Sequence, residues 1–192
     1  MKRREVVREL LAERGDLLCV SGLGASTWDL AAAGGDPLDV PLWGAMGGAA
    51  MVGLGLALAQ PRRRVLVLTG DGEQLMGLGS FATIGLRQPA NLALVVLDNE
   101  RYGETGSQPT HTAGAVDLAA CARACGIADS RTITAEADLP ALRSAIHALI
   151  APLVAVCKID ALQEPLVLPP RDGAILATRF RDALLGPHAA AE

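Results

Sequence analysis

Aromatic residues are nearly absent from this chain: two Trp, one Tyr and two Phe make up 3% of 192 residues. That excludes the stacking platforms on which single-stranded nucleic acids are held. A basic stripe is missing as well. Seventeen Lys and Arg stand against 21 Asp and Glu, for a formal net charge of -4, so no polyanion partner is expected. Cysteine is scarce, and of Cys19, Cys121, Cys125 and Cys157 only the middle two stand one helical turn apart. No second Cys or His pair completes a tetrahedral metal set, so the four read as free thiols in apolar surroundings. The N-terminal MKRREVVRELLAERG has the charged amphipathic pattern of a helix and lacks the apolar segment of a signal peptide; a cytoplasmic location is expected.

Long hydrophobic runs are also missing, with one exception. Val40 to Pro61, VPLWGAMGGAAMVGLGLALAQP, carries no charge and sets Gly44 and Gly48 at the small-x-x-x-small spacing of packed membrane helices. Pro41, five glycines and the arginines Arg62 to Arg64, which lead straight into an apolar run, argue against a span. The segment reads as a glycine-rich helix buried inside a fold, with no membrane partner.

What is present is a core. Half the chain, 51%, is hydrophobic, mostly Ala, Leu and Val, enough for one full-sized domain, expected over residues 1–186 with a disordered tail at 187–192. Apolar runs alternate with helical patterns: DLLCVS, the glycine-rich helix, RVLVLT, a helix over Gln74 to Gly85, NLALVVLD, a helix over Val116 to Cys125, RTIT, a helix over Leu139 to Leu149, and PLVAVCKI. Nearly continuous apolar strands alternating with helices predict a mostly parallel sheet covered on both faces, a three-layer α/β/α fold. A last amphipathic helix, AILATRFRDALL, is expected to pack across an edge.

In such sheets ligands bind beyond the carboxyl ends of the strands. Two of these ends are polar. In LTGDGEQ, glycines flank Asp71 and let backbone N–H groups approach an anion at the start of a helix. In VVLDNERYGETG, Asp98 and Asn99 end a strand and a glycine-punctuated loop follows. Asp71 offers a carboxylate oxygen, Asn99 an amide oxygen, and the bend after Asn99 can turn a main-chain carbonyl inward. With diphosphate oxygens and water, this set meets the octahedral oxygen demand of Mg2+.

Gly70-Asp71-Gly72, followed after 26 residues by Asn99, resembles the metal and diphosphate motif of thiamine diphosphate enzymes. PLWGAMGGAAMVGLGLAL is similar to that family's Gly-Ser-Met-Gly stretch, and VSGLGAS and RFRDALLG fit the same thiamine diphosphate-binding fold. The resemblance implies Asp71 and Asn99 as side-chain Mg2+ ligands and the Arg101 carbonyl as the third. It implies cofactor contacts from Gly70, Gly72, Glu73, Tyr102 and Gly103, a wedge beneath the two rings from Met46, and a main-chain contact to the aminopyrimidine from Gly44.

YGETGSQPTHT looks like the corresponding loop of sulfopyruvate and phosphonopyruvate decarboxylases, which implies decarboxylation of a small 2-oxo acid. His111 in this loop is a candidate catalytic proton donor or substrate contact. Two residues depart from the pattern: Ala45 stands where the family has serine, and Glu104 puts an acid where a neutral residue is expected, which would oppose an anionic substrate tail.

The family activates the aminopyrimidine with a glutamate from a pyrimidine-binding domain. That domain is not found in this sequence, so the resemblance implies a hetero-oligomer in which a second subunit supplies the glutamate. Other readings stay open: an acetolactate synthase-like carboligase subunit, a non-catalytic cofactor-binding partner, or a dinucleotide fold built on Gly22 and Gly24. The last lacks the third fingerprint glycine and the acid after a second strand.

Overall fold

The computed structural model describes residues 1–148 and 150–187. An N-terminal helix α1 (Arg3–Leu10) leads into strand β1 (Leu18–Ser21), helix α2 (Ala25–Ala32) and strand β2 (Asp39–Pro41). Helix α3 (Ala49–Ala59), strand β3 (Val65–Gly70), helices α4 (Asp71–Met76) and α5 (Ser80–Arg87) and strand β4 (Leu92–Asp98) follow. A small flap of β5 (Arg101–Tyr102) and β6 (Gln108–Pro109) precedes helix α6 (Leu118–Ala124), strand β7 (Asp129–Ile133), helix α7 (Leu139–His147), strand β8 (Leu153–Lys158) and helix α8 (Gly173–Leu185).

Six strands form one sheet in the order β2-β1-β3-β4-β8-β7, and every pairing in it is parallel. Side chains alternate across it, as the pleat requires. Leu66, Leu68, Ala93, Val95, Leu97, Ala155 and Cys157 pack with α1, α2 and α7 on one face. Val65, Val67, Leu92, Leu94, Val96, Val154 and Val156 pack with α3, α5 and α6 on the other. The central strand β4 is buried along its whole length, which is why NLALVVLD reads as a continuous apolar run. The expected three-layer α/β/α architecture is the one observed.

The glycine-rich segment is a correction. Only Ala49–Ala59 is helical; Val40 and Pro41 end the edge strand β2, and Ala45 and Gly47 take left-handed backbone angles, φ 56° and 87°. Two left-handed residues within three positions cannot belong to a right-handed helix, so Gly44 and Gly48 never share a helix face. No helix among the described residues is long and apolar enough to cross a membrane.

The helix expected over Gln74 to Gly85 is two, α4 and α5, parted at Gly77–Gly79. The helix expected to reach Leu149 ends at His147, and Leu149 itself lies outside the described residues, as does the tail from residue 188. The last helix does lie against the edge: Arg179 of α8 reaches the Asp39 carbonyl of β2 at 3.5 Å. Strand β2 and the β5–β6 flap were not foreseen, being three and two residues long.

Candidate functional site

Strands β3 and β4 lie side by side, with Gly70 in register with Leu97. Asp71 and Asn99, which follow these strands, therefore leave the sheet at neighbouring points. After Asn99 the chain turns sharply. The Asn99 Oδ1 accepts from the Arg101 amide at 3.0 Å, the Asp98 Oδ1 from the Glu100 amide at 3.1 Å, and Glu100 adopts φ 61°. Asx-type bonds of this kind hold a bend that L-residues otherwise resist.

The flap then folds back. Thr110 donates its amide to the Glu100 carbonyl at 3.0 Å, which brings its hydroxyl over Asp71. Thr110 Oγ1 donates to Asp71 Oδ2 at 2.5 Å, and Thr112 Oγ1 lies 3.2 Å from the same oxygen. Thr112 also lies 2.8 Å from Asp98 Oδ1, and Lys158 at the end of β8 pairs with Asp98 at 2.8 Å and Glu100 at 2.7 Å. Burial pushes the Asp71 carboxyl above the usual carboxylate range, the Thr110 hydrogen bond opposes that, and the Asp98 charge adds to it. The Thr110 and Thr112 hydroxyls both bear on Oδ2, and the backbone amide of Asp71 itself also favours the carboxylate.

The strand ends open on a cleft of about 720 Å3, within the size range of small-molecule and cofactor sites. Met46, Gly70, Asp71, Gly72, Glu73 and Asn99 line it, together with Arg101, Tyr102 and Gly103. Nine of the eleven residues singled out from the sequence are thus brought together. Gly72 is required here by contact: a Cβ on it would stand 2.6 Å from the Tyr102 ring and 3.7 Å from the Met46 methyl. The ring and the thioether therefore converge on the glycine next to Asp71. Met46 is 37% exposed, a side chain at an open surface of the cleft and not a core filler.

Gly44 and His111 do not join the lining. Gly44 is exposed in the turn after β2. His111 opens a short 3-10 turn in which Thr110 and Thr112 are buried and His111 is exposed; the residues on either side of it, not His111, touch the Asp71 network. Glu104 lines the cleft, with its carboxylate lying where a side chain on Gly24 would be, 2.6 Å from that missing Cβ.

Thr110, Thr112, Asp98, Glu100 and Lys158 went unassigned in the sequence. The signal available was QPTHT, where two hydroxyls alternate with a histidine and only one parity can face inward. The far wall of the cleft was also unforeseen. It includes Arg3 and the stretch from Ala161 to Leu166, with Arg3 and Arg4 both bound to the fully buried Asp29 and Arg4 donating to the Pro165 carbonyl at 2.8 Å.

As a donor set, one carboxylate, one amide and one main-chain carbonyl suit a hard cation that keeps ligand and water oxygens. No group of three or more His, Cys, Asp or Glu that could cage a metal by itself exists among the described residues.

The chain matches the family described as thiamine pyrophosphate enzyme, C-terminal TPP binding domain, over residues 22–156. It is 38% identical over 136 residues to sulfopyruvate decarboxylase subunit beta of Methanocaldococcus jannaschii, covering 70% of each protein. It is 40% identical over 197 residues to phosphonopyruvate decarboxylase of Streptomyces viridochromogenes, covering 97% of this chain and 47% of that one, so it spans about half of that relative. In fold it resembles benzoylformate decarboxylase of Polynucleobacter necessarius, with a TM-score of 0.67 at 19% identity over 86% of this chain and 34% of that chain. The family match runs through β3, Asp71, β4 and Asn99, one side of the cleft, and the chain belongs to the thiamine pyrophosphate enzymes through their C-terminal TPP-binding domain.

Proposed function

We propose that this chain is the diphosphate- and Mg2+-binding subunit of a thiamine diphosphate-dependent 2-oxo acid decarboxylase, working with a second subunit that carries the activating glutamate. The observation that carries this reading is the pairing of Asp71 and Asn99 at the ends of adjacent strands, facing one cleft. Asp71 Oδ1, Asn99 Oδ1 and the Arg101 carbonyl would hold the metal, and the amides of Gly72 and Glu73 at the start of α4 would meet the diphosphate. Tyr102 and Met46 would bear on the cofactor from the side of Gly72. Bound in this way, the cofactor supplies the electron sink for loss of CO2. The chain's own part is to fix the metal oxygens, orient the bound group and limit water.

Two relatives are beta subunits of sulfopyruvate decarboxylases, from Methanocaldococcus jannaschii and Methanothermobacter thermautotrophicus, which supports a divided enzyme. The substrate class is a small 2-oxo acid. Asp71, Glu73, Glu104 and Glu164 outnumber Arg3 and Arg101 along the cleft, so an anionic tail on the substrate would need cations from the metal or the partner.

The test is CO2 release from pyruvate, sulfopyruvate and phosphonopyruvate in the presence of thiamine diphosphate and Mg2+, with the chain alone and with its partner subunit. Turnover only in the mixture, abolished by Asp71→Ala, is expected. Substantial turnover by the chain alone would refute the division of labour.

A further inference from the structure

The far wall of the cleft is a strap. Between β8 and α8 the chain runs over residues 159–172 without helix or strand, and its stretch from Ala161 to Leu166 lines the cleft. The strap starts from backbone ties: the Ile159 amide donates to the Asp98 carbonyl at 3.0 Å and the Asp160 amide to the Met1 carbonyl at 2.8 Å. From residue 161 to 171 no backbone–backbone hydrogen bond exists among the described residues. A segment with so few bonds of its own opens at low cost, and connections of this length without secondary structure are uncommon unless they serve a site.

Side chains hold it instead. Apart from a local bond from the Leu162 amide to Asp160 Oδ1 at 3.3 Å, the holds are two. Arg4 Nη2 donates to the Pro165 carbonyl at 2.8 Å, with Glu164 3.9 Å from Nη1 of the same guanidinium. Trp43 Nε1 donates to the Pro170 carbonyl at 2.9 Å, but neither Trp43 nor Pro170 lines the cleft. Along the cleft itself the tie is Arg4.

Arg4 is fixed from behind. Its Nε lies 3.2 Å from Asp29 Oδ1 while Arg3 takes Oδ2, and Asp29 is fully buried. Both arginines stand on α1, whose Val6, Val7 and Leu10 are buried in the core. Held by this anchor, the strap contributes Leu162 and Leu166 to the cleft lining. They are 63% and 61% exposed, apolar surface that gains by being covered when a group is bound.

We propose that Arg4 is a positioning residue: pinned by Asp29, it ties the strap along the cleft and so sets Leu162 and Leu166 as an apolar cover that limits water at a bound group. The consequence for turnover rests on the thiamine diphosphate reading, whereas the tie itself does not.

Arg4→Met removes the donors, keeps an apolar stem of similar length and leaves Arg3 to compensate Asp29. It is compared with Asp29→Asn and with wild type, first without cofactor, by backbone 15N relaxation. In wild type the amides of Leu162, Gln163, Glu164 and Leu166 should have order parameters of about 0.85, and in Arg4→Met these should fall below about 0.6. Asp29→Asn should loosen the same amides, although no bond joins Asp29 to the strap. Val95 and Val96 in β4 should stay ordered throughout, showing that the fold is intact. Arg8→Gln, which breaks an exposed pair with Glu5 on the same helix, should leave the strap as it is.

A strap already mobile in wild type, or still ordered in Arg4→Met, would overturn the tie; a strap still ordered in Asp29→Asn would overturn the pinning. In the mixture with the partner subunit, thiamine diphosphate and Mg2+, Arg4→Met should bind the cofactor as wild type does, because the proposed metal and phosphate contacts lie on other segments. It should lower kcat about tenfold or more, since slack far from the chemistry can cost about 100-fold. The Leu162→Ala/Leu166→Ala pair should lower kcat likewise with the strap still ordered. A loosened strap with wild-type kcat would overturn the covering role. An ordered wild-type strap that Arg4→Met frees, in a wild-type mixture that binds no cofactor, would overturn the proposed function and leave the tie standing.

Discussion

Thr110 donates its hydroxyl to Oδ2 of Asp71 at 2.5 Å, across 39 residues of chain. One oxygen of the carboxylate is thereby committed to the protein, which also fixes the direction of the other. Removing the hydroxyl should leave the fold intact and loosen the metal: Thr110→Val is expected to weaken Mg2+-dependent cofactor binding by about 10- to 100-fold, the usual cost of losing an outer-shell partner, and Thr110→Ser to restore most of it. Calorimetric Mg2+ titrations at fixed thiamine diphosphate, on the chain mixed with its partner, decide this. Equal affinities for Val and wild type would remove Thr110 from the metal's support.

Cofactor binding should also collapse when divalent ions are withdrawn. Asp71 is the one carboxylate proposed to face the metal, and the diphosphate would otherwise meet it directly, like charge against like. Thiamine diphosphate affinity measured with and without a chelator should differ by orders of magnitude, and the same value in both would sink the metal assignment.

Met46 predicts a separation of binding from turnover. Because the side chain is 37% exposed, Met46→Ala should change stability by only about 0.5 kcal/mol, as surface substitutions do. With the phosphate contacts on other segments, it should lower kcat well beyond its effect on cofactor affinity. Circular dichroism, calorimetry and turnover on one preparation give all three numbers; an unfolded variant would make Met46 part of the core.

The thiol of Cys157 sets an alkaline limit on stability. It is fully buried in β8, in the core between the sheet and α1, α2 and α7, and burial pushes its pKa from 9.0 up to about 12. Below pH 9 the folded and unfolded chains both hold the proton, and this stability is whole. Between pH 9 and about 12 only the unfolded chain releases it, so folding weakens with rising pH by about 1.4 kcal/mol per unit from this group. Denaturant midpoints taken from pH 8 to 11 should fall, and fall less in Cys157→Ala. A parallel decline in both proteins would remove Cys157 as the cause.

What the sequence disclosed tracks what is periodic or local. β3, β4 and β8 are buried on both faces, so each reads as an unbroken apolar run, and Asp71 and Asn99 stand out because they interrupt such runs. Spacing alone could carry those two. It could not carry Lys158, whose ion pairs reach back to Asp98 and Glu100, nor Arg3 in the far wall, because both depend on which strand or helix lies beside which. The left-handed turn at Ala45 was hidden for another reason: alanine there gives no sign of φ 56°, and a run of small apolar residues is equally compatible with a longer helix. Which residues of QPTHT turn inward was hidden too: Thr110 and Thr112 are buried and His111 is exposed, a choice of parity that the run of residues does not disclose.

Asp98 and Lys158 face each other as register partners of β4 and β8 as well as forming an ion pair at 2.8 Å. A slip of one residue between these strands would turn their apolar side chains to the wrong faces and would also leave Asp98 buried with no cation. Such an uncompensated charge costs about 3–5 kcal/mol. The same Asp98 holds the bend that brings Asn99 and Arg101 to the cleft. A misaligned chain would thus lose its binding loop together with its stability, and mispaired molecules should be poor competitors for cofactor as well as short-lived.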